Sequence, residues 1–177
     1  MIQIDKSDFL YKALQNLGVN EEYIEEEYLS FAKSGISNSK DFNNHLQAKL
    51  GMDFVGEVDE LQLEEVVDYY ADLKHHKCPS KSKVTGMLKQ YKENPNDNIR
   101  TEIINSQLKE VLLIACAYKL RRQEINLSDL VQICNIGLMT AVEKYKVSSK
   151  LPFEIYLNYW ILDAISKEYN IGEQNNG

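Results

Sequence analysis

A chain of 177 residues with 44% hydrophobic and 27% charged content can bury one core, or two small ones, and falls in the range of ordinary globular proteins. No apolar run is longer than Val111–Ala117, far short of a bilayer span, and the amino terminus MIQIDKSDFLYK has no basic-then-apolar signal pattern, so no membrane partner and a cytoplasmic location are expected. The net charge of −7 is unevenly spread: residues 1–79 hold 7 Lys and Arg against 16 Asp and Glu, whereas residues 80–177 hold 13 against 11, so only the second part is suited to approach nucleic acid.

Three prolines and eight glycines favour long helices, and apolar residues recur at helical spacing nearly throughout. Phe9, Leu10, Ala13, Leu14 and Leu17 predict a first helix, capped at Ser7 and stopped at Gly18. Ile24, Tyr28, Phe31 and Ala32 predict a second, ending near Gly35, and Phe42, Leu46 and Leu50 a third, closed by Gly51. Leu63, Val66, Val67, Tyr70 and Ala71 predict a fourth. The polar segment His75–Lys83 contains Pro79 and reads as a linker, which divides the chain into an acidic helical module, 1–79, and a second domain, 80–177.

After a short helix carrying Val84, Leu88 and Tyr91 and a turn at Asn94-Pro95-Asn96, three longer helices are predicted over 108–120, 128–145 and 152–168, packed as one unit. The class is all-α. In the first, Leu108, Val111, Leu112, Ala115 and Tyr118 share a face. The second starts near Ser128 as N-cap, with Asp129 in the electropositive first turn. Its core face holds Leu130, Ile133, Cys134, Gly137, Leu138, Ala141 and Tyr145. Opposite lie Asp129, Gln132, Asn135, Ile136, Met139 and Glu143, a polar face interrupted by two apolar residues, which suits a partner surface as well as it suits scattered surface hydrophobes. The third starts at Pro152 and gathers Phe153, Tyr156, Tyr159 and Trp160 on one sector, extended by Asp163 and Lys167. Such aromatics are either core or a stacking platform for unpaired bases.

Cys116 and Cys134 fall at apolar-periodic positions and are expected to be buried thiols. Cys78 follows His75 and His76, but no second Cys/His cluster completes four ligands, so no metal and no cofactor are expected. No nucleophile–base constellation or phosphate loop appears, and no enzyme is expected.

Taken together, Leu127-Ser128-Asp129-Leu130-Val131-Gln132, Asn135-Ile136-Gly137-Leu138-Met139 and Ala141-Val142-Glu143-Lys144-Tyr145 resemble the segment of bacterial sigma-70 family factors that docks on core RNA polymerase. Phe153, Tyr156, Tyr159-Trp160-Ile161 and Ala164-Ile165 resemble the segment that melts the promoter, and Gln107-Leu108-Lys109, Ile114-Ala115 and Tyr118 fit the helix before both. The resemblance, to sigma region 2, covers roughly 80 residues on the order of one domain. It implies that Asp129, Gln132, Asn135 and Met139 contact a coiled coil on the largest polymerase subunit. It implies too that Phe153, Tyr156, Tyr159, Trp160 and Lys167 engage the −10 promoter element, mainly as single strand, with Tyr156 and Tyr159 keeping exposed ring surface and Trp160 partly buried. It leaves room for an anti-sigma or co-sigma protein as a further partner.

The chain departs from the family pattern at several positions. Leu162 and Asp163 stand where Arg and Gln are usual, Lys150, Leu151 and Pro152 replace a glycine, an aromatic and a basic residue, and Glu154 replaces a small polar one. These changes erode the basic character that phosphate contacts need. No room is left for the helix-turn-helix that reads the −35 element, so the expectation is either a sigma-like protein without that module or a piece of a longer one. The expected function is a sigma-type initiation factor that binds core polymerase and engages the −10 element. The alternative is a sigma-derived regulator or adaptor that binds polymerase, or another protein, without reading promoters itself.

Overall fold

The computed structural model describes residues 1–52 and 64–169. These form eight α-helices and no strand: α1 (Phe9–Leu17), α2 (Glu21–Ala32), α3 (Ser39–Lys49), α4 (Val67–Leu73), α5 (Lys81–Glu93), α6 (Asp97–Arg121), α7 (Leu127–Lys144) and α8 (Phe153–Tyr169). The all-α class stands.

Local chemistry sets most of the boundaries. Asp8, not Ser7, caps α1: its carboxylate accepts from the Tyr11 amide at 2.9 Å, while Ser7 is turned back onto Asp5. The same carboxylate accepts from the Tyr28 hydroxyl at 2.7 Å, which ties α2 to the start of α1. Gly18 closes α1 at φ 76°, a left-handed conformation that glycine adopts without a Cβ penalty. Asn38, Ser80 and Asn96 cap α3, α5 and α6 through their side chains. At α7 the cap is Asn126, whose side chain accepts from the Asp129 amide at 3.0 Å; the expected cap, Ser128, already lies within the first turn. Pro152 immediately precedes α8, and its carbonyl accepts from the Ile155 amide at 3.0 Å.

Two expectations for the helices need correction. The helix expected over 108–120 starts at Asp97 and runs 25 residues, because Asn96 caps it and Ile103 gives its early turns a buried anchor. In the fourth helix the expected inward residues Val67, Tyr70 and Ala71 face solvent, Val67 being 56% exposed; Val66 and Leu73 carry the burial instead. The expected Leu63 lies outside the described residues.

Helix α6 is the central post. From Val111 to Tyr118 all but one of its residues are buried, so it is covered on nearly every side. It packs against α7, α5 and α4, and α7 packs in turn along α8. Gly51, at φ 76° after α3, approaches α6 so closely that a Cβ there would stand 2.8 Å from the Ala117 carbonyl oxygen. Gly137 plays the same part between α7 and α8: a Cβ would stand 2.6 Å from Ile161 Cα and 2.7 Å from the Trp160 carbonyl oxygen. One hydrophobic cluster runs through residues of both the acidic N-terminal helices and the later ones.

Candidate functional site

Helix α7 divides as its periodicity predicts. Leu130, Cys134, Gly137, Leu138 and Ala141 are buried, and Asp129, Gln132, Ile136, Met139 and Glu143 are exposed, with Asn135 half-buried between the two sets. Ile136 is 54% and Met139 36% exposed. The four residues expected to meet a partner, Asp129, Gln132, Asn135 and Met139, therefore lie on one side of one helix. Glu143 is engaged within the molecule: Arg100 Nε donates to it at 2.5 Å and the Tyr91 hydroxyl at 3.2 Å. The bond from Arg100 holds its carboxyl below the usual carboxylate range.

A neighbour that the sequence did not announce stands beside this face. Residues 64–69 lie against the first two turns of α7 and enclose with it an open cavity of about 410 Å³, lined by Glu64, Val67, Asp68, Tyr69, Gln132 and Asn135 among others. Glu65 holds the segment in place. Its carboxylate accepts from the Leu127 amide at 2.6 Å, one of the first-turn donors that have no partner within the helix, and pairs with Lys119 at 3.7 Å. The Asn135 amide reaches the Tyr69 hydroxyl at 3.4 Å, and its Oδ1 is buried without a partner.

On α8 the expected exposure of the rings is overturned. Phe153 is 7%, Tyr156 0%, Tyr159 5% and Trp160 6% exposed. The cover comes from the other end of the chain. The Tyr156 hydroxyl donates to the Asn16 carbonyl, and the Tyr159 ring lies 6.4 Å from those of both Phe31 and Phe42. Asn158 donates to Asn43 at 3.1 Å. Lys144 Nζ sits 4.4 Å above the Trp160 ring and donates to the Gly18 carbonyl at 3.2 Å. From below, Tyr145 meets Phe153 and Tyr156 edge-on at 5.3 and 4.8 Å. Burial pushes the Tyr159 hydroxyl pKa up, helped by the nearby carboxylates of Glu27 and Asp163.

Lys167 stays exposed but is paired to Asp163 at 2.7 Å, and Glu154 is paired to Lys81 at 2.7 Å. Both unexpected acidic residues of α8 thus have a lysine partner. Cys116 and Cys134 are buried and Cys78 is exposed. No helix among the described residues is long and apolar enough to cross a membrane.

Helix α7 thus presents an exposed row of mixed polar and apolar side chains, and α8 an aromatic face that is covered from within. Known proteins agree with the segment that carries both. Residues 109–170 match sigma-70 region 2. The chain is 24% identical to the RNA polymerase sigma factor SigA of Mycoplasma genitalium over 157 residues, which are 89% of this chain and 27% of that protein. It is 31% identical over 88 residues to the RNA polymerase sigma factor RpoD of Helicobacter pylori, covering 49% of this chain and 13% of that one. Against the chloroplastic sigma factor sigF of Arabidopsis thaliana it is 38% identical over 68 residues, 38% of this chain and 12% of that one. The chain therefore corresponds to about a quarter or less of the length of these relatives. No solved structure matches it. Through α6, α7 and α8, at residues 109–170, the chain carries a segment that matches sigma-70 region 2.

Proposed function

We propose that the chain is a sigma-type transcription factor that binds core RNA polymerase through the outer face of α7, with Asp129, Gln132, Asn135 and Met139 in the contact. The observation that carries this reading is the exposure of Ile136 and Met139 within an otherwise polar row, in the segment that matches region 2. Polar and apolar groups in one patch suit a surface that exchanges water for a partner. The partner element is the coiled coil of the largest subunit, and the setting is the cytoplasm. No chemistry is performed. In this scheme residues 80–177 act as the region 2 domain and residues 1–79 as an acidic module docked on it.

Engagement of the −10 strand through Phe153, Tyr156, Tyr159, Trp160 and Lys167 requires α1–α3 to leave α8 first. Stacking contributes about 1–3 kcal/mol per base and needs an open ring face. The burial of all four rings favours a second reading: a regulator that occupies polymerase, with an anti-sigma or co-sigma protein as a further partner, and without reading promoters itself.

Binding of the full chain to core polymerase tests the first step. Gln132→Ala with Met139→Ala is expected to weaken it by more than tenfold while the circular dichroism spectrum is kept, since truncation at a central contact costs about 1–2 kcal/mol or more. Unchanged affinity refutes the α7 face. Capture of a −10 single strand by the resulting complex then separates initiator from regulator.

A further inference from the structure

The acidic segment that flanks α7 is placed to take part in docking itself. Val67 is 56% exposed, an unusual position for a valine whose neighbours Val66 and Tyr69 turn inward. It lines the same cavity as Gln132 and Asn135 of α7. One helical turn beyond Gln132 and Asn135, outside the cavity, come the exposed Ile136 and Met139 of the same helix. The charge there has a single sign. Among the described residues, Glu64, Glu65 and Asp68 line the cavity and no Lys or Arg does. Glu65 is spent on Lys119 and the Leu127 amide, but Glu64 and Asp68 are exposed, as is Asp129 at the first turn of α7. A valine wall and a carboxylate rim match a cationic partner, with apolar residues seated against Val67 and lysines or arginines against the rim.

We infer that residues 64–69 form the second wall of the polymerase-docking cleft, so that a basic helix of core polymerase seats between α4 and α7 and not on α7 alone. This rests on the α7 reading above and extends it to the acidic module. Glu65 is the positioning residue of this wall, because it fixes the segment to α7 while the exposed residues beside it meet the partner.

The test measures the affinity of the full chain for core polymerase at low and at high salt, with three variants compared with the parent. Glu64→Lys with Asp68→Lys changes only exposed side chains and should weaken binding about tenfold at low salt, with a smaller effect at high salt, where the charges are screened. Glu65→Ala loosens the wall and should also weaken binding, and the α7 pair Gln132→Ala with Met139→Ala serves as reference. If the charge-reversed variant binds as well as the parent, the wall has no role. If Glu65→Ala binds more tightly, the segment is a cover that polymerase must displace, and the inference is overturned while the α7 face stands. If only the α7 pair leaves binding unchanged, it is the α7 reading that fails.

Discussion

Gly137 offers a sharp test of how closely α7 and α8 are joined. Replacing it with alanine puts a methyl group 2.6 Å from Ile161 Cα, 2.7 Å from the Trp160 carbonyl oxygen and 2.8 Å from the Ile161 nitrogen. Carbon atoms rest at about 3.5–4.0 Å, so the helices must part by roughly 1 Å, and no flexible side chain is available to yield. Alanine gains about 1 kcal/mol over glycine inside a helix. Overpacking a filled site costs about 1–3 kcal/mol, and a clash with backbone puts the cost at or above the upper end. The net expectation is a loss of about 2 kcal/mol, or roughly 4–8 °C in Tm for a chain of this size. Gly86, exposed in α5 with nothing within 4 Å of a Cβ, is the matched control. The same substitution there should stabilise by about 0.5–1 kcal/mol. Urea and thermal unfolding followed by circular dichroism measure both. A Gly137→Ala variant as stable as the parent would refute the close approach of the two helices.

Other outcomes follow from the buried face of α8 and from its charges. Tyr159→Ala should cost about 3–5 kcal/mol in urea unfolding, as expected for an aromatic removed from a core; a cost under about 1 kcal/mol would mean the ring is not held between Phe31 and Phe42. Tyr156→Phe leaves the Asn16 carbonyl without its donor and should cost about 1–2 kcal/mol. Glu27, half-buried and facing Asp163, has its pKa raised chiefly by burial and then by that carboxylate, with Glu26 adding to the rise and Lys167 opposing it. Its contribution is present at acid pH and lost as pH rises through the folded pKa, so Glu27→Gln should raise Tm at pH 7 and lose that advantage below the ordinary carboxylate range. Burial pushes the Cys116 thiol up to about 11 and Cys134 higher still, so at pH 8 the native chain should take one equivalent of alkylating label, on Cys78, and all three thiols should react in urea.

Helix α7 was legible because each of its five turns repeats the same division: buried Leu130, Cys134 and Leu138, exposed Asp129, Gln132 and Ile136. Helix α8 was legible as a helix with an aromatic sector, but not as a covered one. Periodicity reports that a face is apolar and says nothing of which distant residues fill it, and here the cover is Asn16, Phe31 and Phe42, more than 100 positions upstream. The seven-residue α4 misled for a different reason: two turns are too few to define a stripe, so a partly buried Tyr69 and an exposed Tyr70 look alike in the sequence. The start of α6 was missed because residues 97–107 are mostly polar and hang on Ile103 and on the Asn96 cap.

The chain has a single tryptophan, and it is the one beneath Lys144 at the junction of α1, α7 and α8. The molecule therefore carries its own optical gauge. With the amino-terminal helices seated, the indole is shielded from water and flanked by an ammonium group, and its emission should lie to the blue and be sensitive to Lys144→Met. If those helices lift when polymerase binds, the same fluorophore is bared and its emission moves to the red and becomes open to iodide quenching. Whether the factor opens on its partner can thus be read in real time, without a label, from one residue that also belongs to the surface in question.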